Sequence, residues 1–76
     1  MTKEEFLEEL ATTLNEETEN VKPETQVDSL EGWDSTGLLS VIAMFDGELG
    51  IQVDVERLRS CNSVQGLMDL AGGKIE

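Results

Sequence analysis

Apolar residues near the start of the chain follow the spacing of an amphipathic α-helix. They stand one, three or four positions apart and form a single stripe, which consists of Phe6, Leu7, Leu10, Ala11 and Leu14. Thr2 is followed three positions later by Glu5, which is the pattern of a capping box. The sequence therefore predicts a first helix that begins directly after Thr2.

A second apolar stripe predicts a longer helix from about Ser35 to Leu49. Projected at about 100° per residue, one side of this helix carries Leu38, Val41, Ile42, Phe45 and Leu49. Gly50 follows where a left-handed residue commonly ends a helix. This segment is the central helix of the predicted fold.

Two shorter helical segments follow. Asp54 is placed to cap a short turn that ends at Leu58. Asn62 or Ser63 is placed to cap a last helix, whose stripe of Val64, Leu67, Met68 and Ala71 ends at Gly72-Gly73. Because no convincing pair of strands is present, the predicted fold class is all-α: a small four-helix bundle, with three main helices and one short helix.

A long first loop connects the first two predicted helices. It runs from Asn15 to Asp34, and loops of about this length inside a compact domain are usually functional or partly packed. Its apolar side chains are the expected anchors into the core: Val21, Val27, Leu30 and Trp33.

Composition limits the chemistry that the chain can perform. Its 76 residues allow one small domain over positions 1–76, and no disulfide can stabilise it because Cys61 is the only cysteine. We expect Cys61 to be a small buried apolar residue rather than a nucleophile. Histidine is absent, which removes the commonest general base and metal ligand, so neither an enzyme nor a metal site is predicted.

The net charge of −12 restricts the partners. Such a charge repels nucleic acid and anionic membranes and attracts basic protein surfaces. The acid is densest between residues 15 and 34, which hold seven acidic residues and one lysine. No apolar run is long enough for a membrane span and the first residues do not form a signal peptide, so we expect a cytoplasmic, reducing location.

Two Asp-Ser pairs lie six residues apart, at Asp28-Ser29 and Asp34-Ser35. Ser29 is followed by a glycine three positions later and by no helical stripe, which favours a turn. Ser35 directly precedes the second helix. A serine there commonly caps the helix, but the same position also suits a phosphate ester, because free N–H groups and the helix dipole favour negative charge.

Three segments carry a resemblance to a known family. They read E-G-W-D-S-T-G-L-L-S-V-I, E-L-G-I-Q-V and N-S-V-Q-G-L-M-D-L, at residues 31–42, 48–53 and 62–70. Together with the order of the helices, they resemble an acyl carrier protein of the specialised, stand-alone type. The resemblance implies a four-helix bundle whose serine at the start of the second helix receives 4′-phosphopantetheine from coenzyme A.

The resemblance also implies the roles of the site residues. The distance from the serine to the E-L-G-I-Q-V motif favours Ser35 over Ser29 as the attachment residue. Asp34 is expected to engage the phosphopantetheinyl transferase and its Mg²⁺. The implied function is that of a monomeric carrier of acyl or aminoacyl thioesters, which it presents to enzymes of lipid (including fatty acid), polyketide or other specialised biosynthesis that have basic docking surfaces.

The second helix departs from the family pattern. Thr36 stands where the family usually has Leu or Met, and the predicted outward arc is poor in acid: Thr36, Ser40, Ala43, Met44 and Gly47, flanked by Asp46 and Glu48. From this arc we predict partner contacts at Thr36, Ser40, Met44, Asp46 and Glu48. Met44 is interpreted either as a tolerated surface methionine or as an apolar docking spot together with Thr36.

Two questions stay open on the sequence alone. Because of Thr36, the chain is also consistent with an unmodified carrier-like acidic module that docks on basic proteins. In addition, Gly37, Gly47 and Gly66 fall inside predicted helices, and each costs about 1 kcal/mol relative to alanine. These glycines reflect either sequence drift or a bundle that must loosen around its cargo.

Overall fold

Three of the four α-helices of the protein begin directly after a predicted capping residue: Thr2, Asp54 and Ser63. The computed structural model describes all 76 residues. Its four α-helices are α1 (Lys3–Leu14), α2 (Ser35–Met44), α3 (Val55–Arg59) and α4 (Val64–Ala71). There is no β-strand, only an isolated bridge between Gln26 and Ser63. The predicted all-α fold, a small four-helix bundle, is confirmed.

The capping box that opens α1 is formed. The Thr2 hydroxyl accepts a hydrogen bond from the Glu5 backbone N–H at 3.1 Å, and the Glu5 carboxylate accepts one from the Thr2 N–H at 2.9 Å. These bonds from Thr2 hold the pKa of Glu5 below its ordinary value, because they stabilise the ionised carboxylate. The helix ends at Asn15, which takes a left-handed conformation with φ of 59°.

The central helix is irregular at its end. After Met44, the residues Phe45–Leu49 continue as a π-helical turn, in which the backbone is wound more loosely than in an α-helix. Gly50 then ends the helix with φ of 67°, as its position in the sequence predicted. The apolar residues from Ser35 to Leu49 thus form one continuous helical segment, but not a uniform α-helix.

The long loop is packed against the bundle. It contains 3₁₀ turns at Thr18–Asn20 and Val27–Ser29. Of its four predicted anchors, three are buried and one is half-buried; the buried ones are Val21, Val27 and Leu30, and the half-buried one is Trp33. The loop therefore adds to the core and fixes the approach to α2.

The loop also caps α4. The carbonyl oxygens of Thr25 and Pro23 accept hydrogen bonds from the first two N–H groups of the helix, those of Val64 and Gln65, at 2.9 Å each. Ser63 is at the capping position, but its side chain makes no capping bond. The predicted side-chain cap is therefore wrong, because loop carbonyls already satisfy the N–H groups that a side chain would have bonded.

Eighteen buried apolar side chains form the core. At its centre, the rings of Phe6 and Phe45 meet edge to face, with centroids 5.9 Å apart and planes at 88°. Cys61 is half-buried at the edge of this core, and its thiol donates a hydrogen bond to the Arg57 carbonyl. Burial, and secondarily the charge of Asp69, raise the pKa of the thiol. None of the helices combines the length and the hydrophobicity that a membrane-spanning segment requires.

Candidate functional site

Asp34, rather than Ser35, caps the central helix. Asp34 has extended backbone angles, and its carboxylate oxygen Oδ1 accepts a hydrogen bond from the Gly37 N–H at 2.8 Å. Ser35 is consequently the first residue inside α2. Of the two interpretations of Ser35, the one as helix cap is wrong: the carboxylate of Asp34 is equally suited to bond the N–H three residues on, and it takes that place.

The Ser35 hydroxyl is left free by this arrangement. Ser35 is exposed, and none of the side-chain hydrogen bonds of the chain involves it. The backbone N–H groups of Ser35 and Thr36 also have no acceptor in the chain, because they precede the first hydrogen bond of the helix. A hydroxyl group and two unpaired N–H donors therefore lie together at the positive end of α2.

Close backbone contacts hold this end of α2 against the loop. A Cβ atom on Gly37 would overlap the carbonyl oxygen of Gly32, and a Cβ atom on Gly32 would overlap the carbonyl oxygen of Leu14. The Gly32 oxygen also accepts the Asp34 N–H at 3.0 Å. Gly37 is thus required for close packing of α2 against the loop. The sequence had suggested two other interpretations of this glycine, sequence drift and a bundle that loosens around its cargo.

The other Asp-Ser pair has a different setting. Ser29 lies in the 3₁₀ turn, and its hydroxyl donates a hydrogen bond to the Gln26 carbonyl at 2.7 Å. The predicted turn at Ser29 is confirmed. Its hydroxyl is engaged and lies at no α-helix terminus, so it does not share the environment of Ser35.

The predicted partner contacts fall into two groups. Thr36, Asp46 and Glu48 are exposed and Ser40 is half-buried, so these four line the accessible part of the helical segment from Ser35 to Leu49. Met44 is buried, with only 6% of its surface exposed. Its predicted outward position is wrong, and so is the predicted docking spot that it would form with Thr36.

The burial of Met44 has a packing cause. The central helix contacts both α1 and α3, so its buried arc is wider than a stripe that faces a single neighbour. Met44 follows Gly37 by about two helical turns on the same face, and Gly37 is buried too. The face of the central helix that carries Gly37 and Met44 is therefore buried, and Met44 belongs to the core.

Leu39 is the exposed apolar residue that the sequence reasoning missed. It is 63% exposed, and no other large apolar side chain is as accessible. It lies four residues after Ser35, so it shares the face of α2 that carries the serine. The helical projection contained the signal, because Leu39 falls about 100° from Leu38 and outside the stripe formed by Leu38, Val41, Ile42, Phe45 and Leu49.

Two grooves flank the central helix. The polar groove, of about 210 Å³, lies between the end of α1, the loop and the start of α2, and its lining includes Thr13, Asn15, Thr36 and Ser40. The apolar groove, of about 360 Å³, lies between α2 and the segment that leads into α3, and its lining includes Leu39, Ile42, Ala43 and Val53. Both begin within about one helical turn of Ser35.

Charge around the site is exposed. No charged side chain is buried, and no group of three or more acidic or cysteine side chains is arranged to hold a metal ion. The carboxylates of Asp46 and Glu48 project from the last turn of the central helix, while α3 carries Arg57 and Arg59 in its last turn. The surface thus offers a basic partner accessible carboxylates, which favour fast and salt-sensitive association.

Comparison with known proteins identifies the family. The family model described as a phosphopantetheine attachment site matches residues 4–71, which cover all four helices. No curated protein and no solved structure matched the chain. Members of this family are non-catalytic carriers that hold 4′-phosphopantetheine covalently, so the cofactor expected from the sequence is confirmed at the level of the family. The chain therefore belongs to the phosphopantetheine-attachment family of carrier domains, as its resemblance to acyl carrier proteins indicated.

Proposed function

We propose that Ser35 is the residue that carries 4′-phosphopantetheine. The observation that supports this is the free Ser35 hydroxyl at the first position of α2, left unbonded because Asp34 caps the helix. Attachment joins Ser35 Oγ to the phosphorus next to pantetheine in coenzyme A. The phosphoanhydride bond breaks, adenosine 3′,5′-bisphosphate leaves, and a base of the transferase takes the hydroxyl proton.

The surroundings of Ser35 fit a phosphodiester. The unpaired N–H groups of Ser35 and Thr36 and the dipole of α2 favour a negative group at this end of the helix. The Asp34 carboxylate, which accepts the hydrogen bond from Gly37, is nearby and repels the negatively charged phosphodiester. Solvent exposure screens this repulsion and leaves the ester accessible to the transferase.

We further propose that the chain acts as one carrier domain that presents acyl or aminoacyl thioesters to partner enzymes. The cofactor supplies the thiol that forms the thioester, and the residues of the chain supply the docking surface. The exposed Thr36, Asp46 and Glu48, with the half-buried Ser40, are the contacts that we assign to partners with basic patches. Such contacts give weak, fast docking, which suits a domain that must visit several enzymes.

Intact-mass measurement tests the attachment site. The unmodified protein is incubated with coenzyme A, Mg²⁺ and a broad-specificity phosphopantetheinyl transferase. We expect a gain of one phosphopantetheine group in the wild type and in Ser29→Ala, and no gain in Ser35→Ala. If the wild type gains no mass, the unmodified docking module becomes the better interpretation. A gain that persists in Ser35→Ala would place the attachment elsewhere.

Two substitutions at Asp34 separate its capping role from a role toward the transferase. Asparagine caps helices about as well as aspartate, so Asp34→Asn should leave the free energy of unfolding within about 0.5 kcal/mol of the wild type. Asp34→Ala removes the bond to Gly37 and should cost about 1 kcal/mol.

The rate of modification provides the second measurement. If the carboxylate engages the metal of the transferase, both variants should be modified about tenfold or more slowly, although only Asp34→Ala is destabilised. Urea unfolding and the initial rate of mass gain are measured on the same preparations. An Asp34→Asn protein that is modified at the wild-type rate would limit Asp34 to helix capping.

A further inference from the structure

The polar groove has unused hydrogen-bonding groups along its wall. Thr13, Thr36 and Ser40 provide hydroxyl groups and Asn15 provides a carboxamide, and the side chains of these residues form no hydrogen bonds within the chain. A groove lined in this way favours an occupant with amide and hydroxyl groups, because such groups lose free energy when they leave water without new partners.

The groove begins beside the proposed attachment residue, because both chain neighbours of Ser35, Asp34 and Thr36, belong to its lining. Thr36 follows Ser35 directly, and Ser40 lies on the next turn, about 6 Å further along the axis of α2. An occupant tethered to Ser35 is always near the groove. Its effective concentration is therefore high, and a shallow groove with a few hydrogen bonds is sufficient to hold it.

The phosphopantetheine group attached to Ser35, here called the arm, has a charged phosphate and an uncharged pantetheine portion. The charges in the groove determine which of the two it can hold. The only charged residue in its lining is Asp34, whose carboxylate caps the helix. With no cation, the groove does not favour a phosphate. It suits the uncharged pantetheine portion, which contains amide and hydroxyl groups. Only one of the eight residues that line the polar groove is hydrophobic, whereas four of the six that line the apolar groove are: Leu39, Ile42, Ala43 and Val53.

We propose that the polar groove binds the amide portion of the arm carried by Ser35 and holds it against the end of α1. The arm then lies on the α1 side of the central helix, and the apolar groove toward α3 stays open. The inference rests on the proposed attachment at Ser35. It assigns Thr13, Asn15, Thr36 and Ser40 as the residues that position the arm.

Nuclear magnetic resonance of the unmodified and modified protein tests this placement. Thr13 and Asn15 are the informative probes, because they lie at the end of α1, across the groove from α2, and are not chain neighbours of Ser35. We expect their amide signals to shift on modification, with nuclear Overhauser effects between the arm and the Thr13 methyl group. Gln52 and Val53, which line the apolar groove, should show neither effect.

Matched variants test the hydrogen-bonding groups. Thr13→Val keeps the shape of the side chain but removes its hydroxyl, and Ser40→Ala does the same on α2; both should lose most of the shift at Asn15. Gln52→Ala, on the other groove, should retain it. Shifts and contacts at Val53 instead, or arm signals identical to those of free pantetheine, would overturn the inference.

The mass of the same samples separates the two proposals. If no phosphopantetheine is added at Ser35, the proposed attachment fails and the groove has no tethered occupant. If the mass increases but the arm contacts Val53 or no residue at all, the attachment stands and only the placement in the polar groove is wrong.

Discussion

Replacing Gly37 by alanine is expected to lower the free energy of unfolding by about 2–3 kcal/mol, although alanine is the better helix former. The added Cβ would overlap the Gly32 carbonyl oxygen, and it would also approach Leu14 Cδ2 at 3.1 Å. The Gly32 backbone cannot retreat easily, because it is itself packed against the Leu14 carbonyl. Urea unfolding with an unchanged m-value measures the loss.

Gly47 provides the matched control. It also lies in the helical segment that begins at Ser35, but a Cβ atom there would have no neighbouring atom within 4 Å. Gly47→Ala should therefore raise stability by about 0.5–1 kcal/mol, because it removes only the entropic cost of glycine. If Gly37→Ala were as stabilising as Gly47→Ala, the close contact between α2 and the loop would be absent in solution.

The Gly37 variant also has a functional consequence. The loop segment that Gly37 contacts leads directly into Asp34 and Ser35, and the Gly32 carbonyl accepts the Asp34 N–H. Displacement of this segment moves the cap and the serine together. We therefore expect slower modification of Ser35 in Gly37→Ala at a temperature where the variant is still folded, and an unchanged rate in Gly47→Ala.

The helices could be predicted from the sequence because the information that specifies them is local. The box formed by Thr2 and Glu5, the left-handed Gly50 and the cap at Asp54 each depend on residues a few positions apart, and all three are present in the structure. The stripe on α1 was informative for the same reason. A one-sided amphipathic pattern indicates a helix with a single buried face.

Features that depend on contacts distant in sequence could not be predicted in this way. Met44 lies outside the single apolar stripe of the second helix and was therefore predicted to face solvent. It is buried because α2 packs against both α1 and α3. Ser63 loses its capping role to the carbonyls of Thr25 and Pro23, almost forty residues earlier. At the candidate site, the sequence located Ser35 through a family resemblance, but the exchange of roles between Asp34 and Ser35 required coordinates.

Replacing Phe45 by alanine is expected to have the largest effect on stability, a loss of about 3–5 kcal/mol. Phe45 is fully buried, and its ring meets Phe6 edge to face at the centre of the core. At roughly 0.05–0.15 kcal/mol per residue, the total free energy of unfolding of a 76-residue domain is about 4–11 kcal/mol. The Phe45→Ala variant therefore loses a large part of its stability. Phe45→Leu, with an expected loss of about 1–2 kcal/mol, keeps the effect measurable.

Leu39 is the matched control on the same helix, since it is apolar but 63% exposed. Leu39→Ala should change the free energy of unfolding by no more than about 0.5 kcal/mol, as measured by urea unfolding beside the Phe45 variants. A similar cost at both positions would contradict the burial of Phe45 and the exposure of Leu39. Because Leu39 contributes so little to the fold, a loss of partner docking in Leu39→Ala would reflect its exposed position one turn beyond Ser35, and not a weakened bundle.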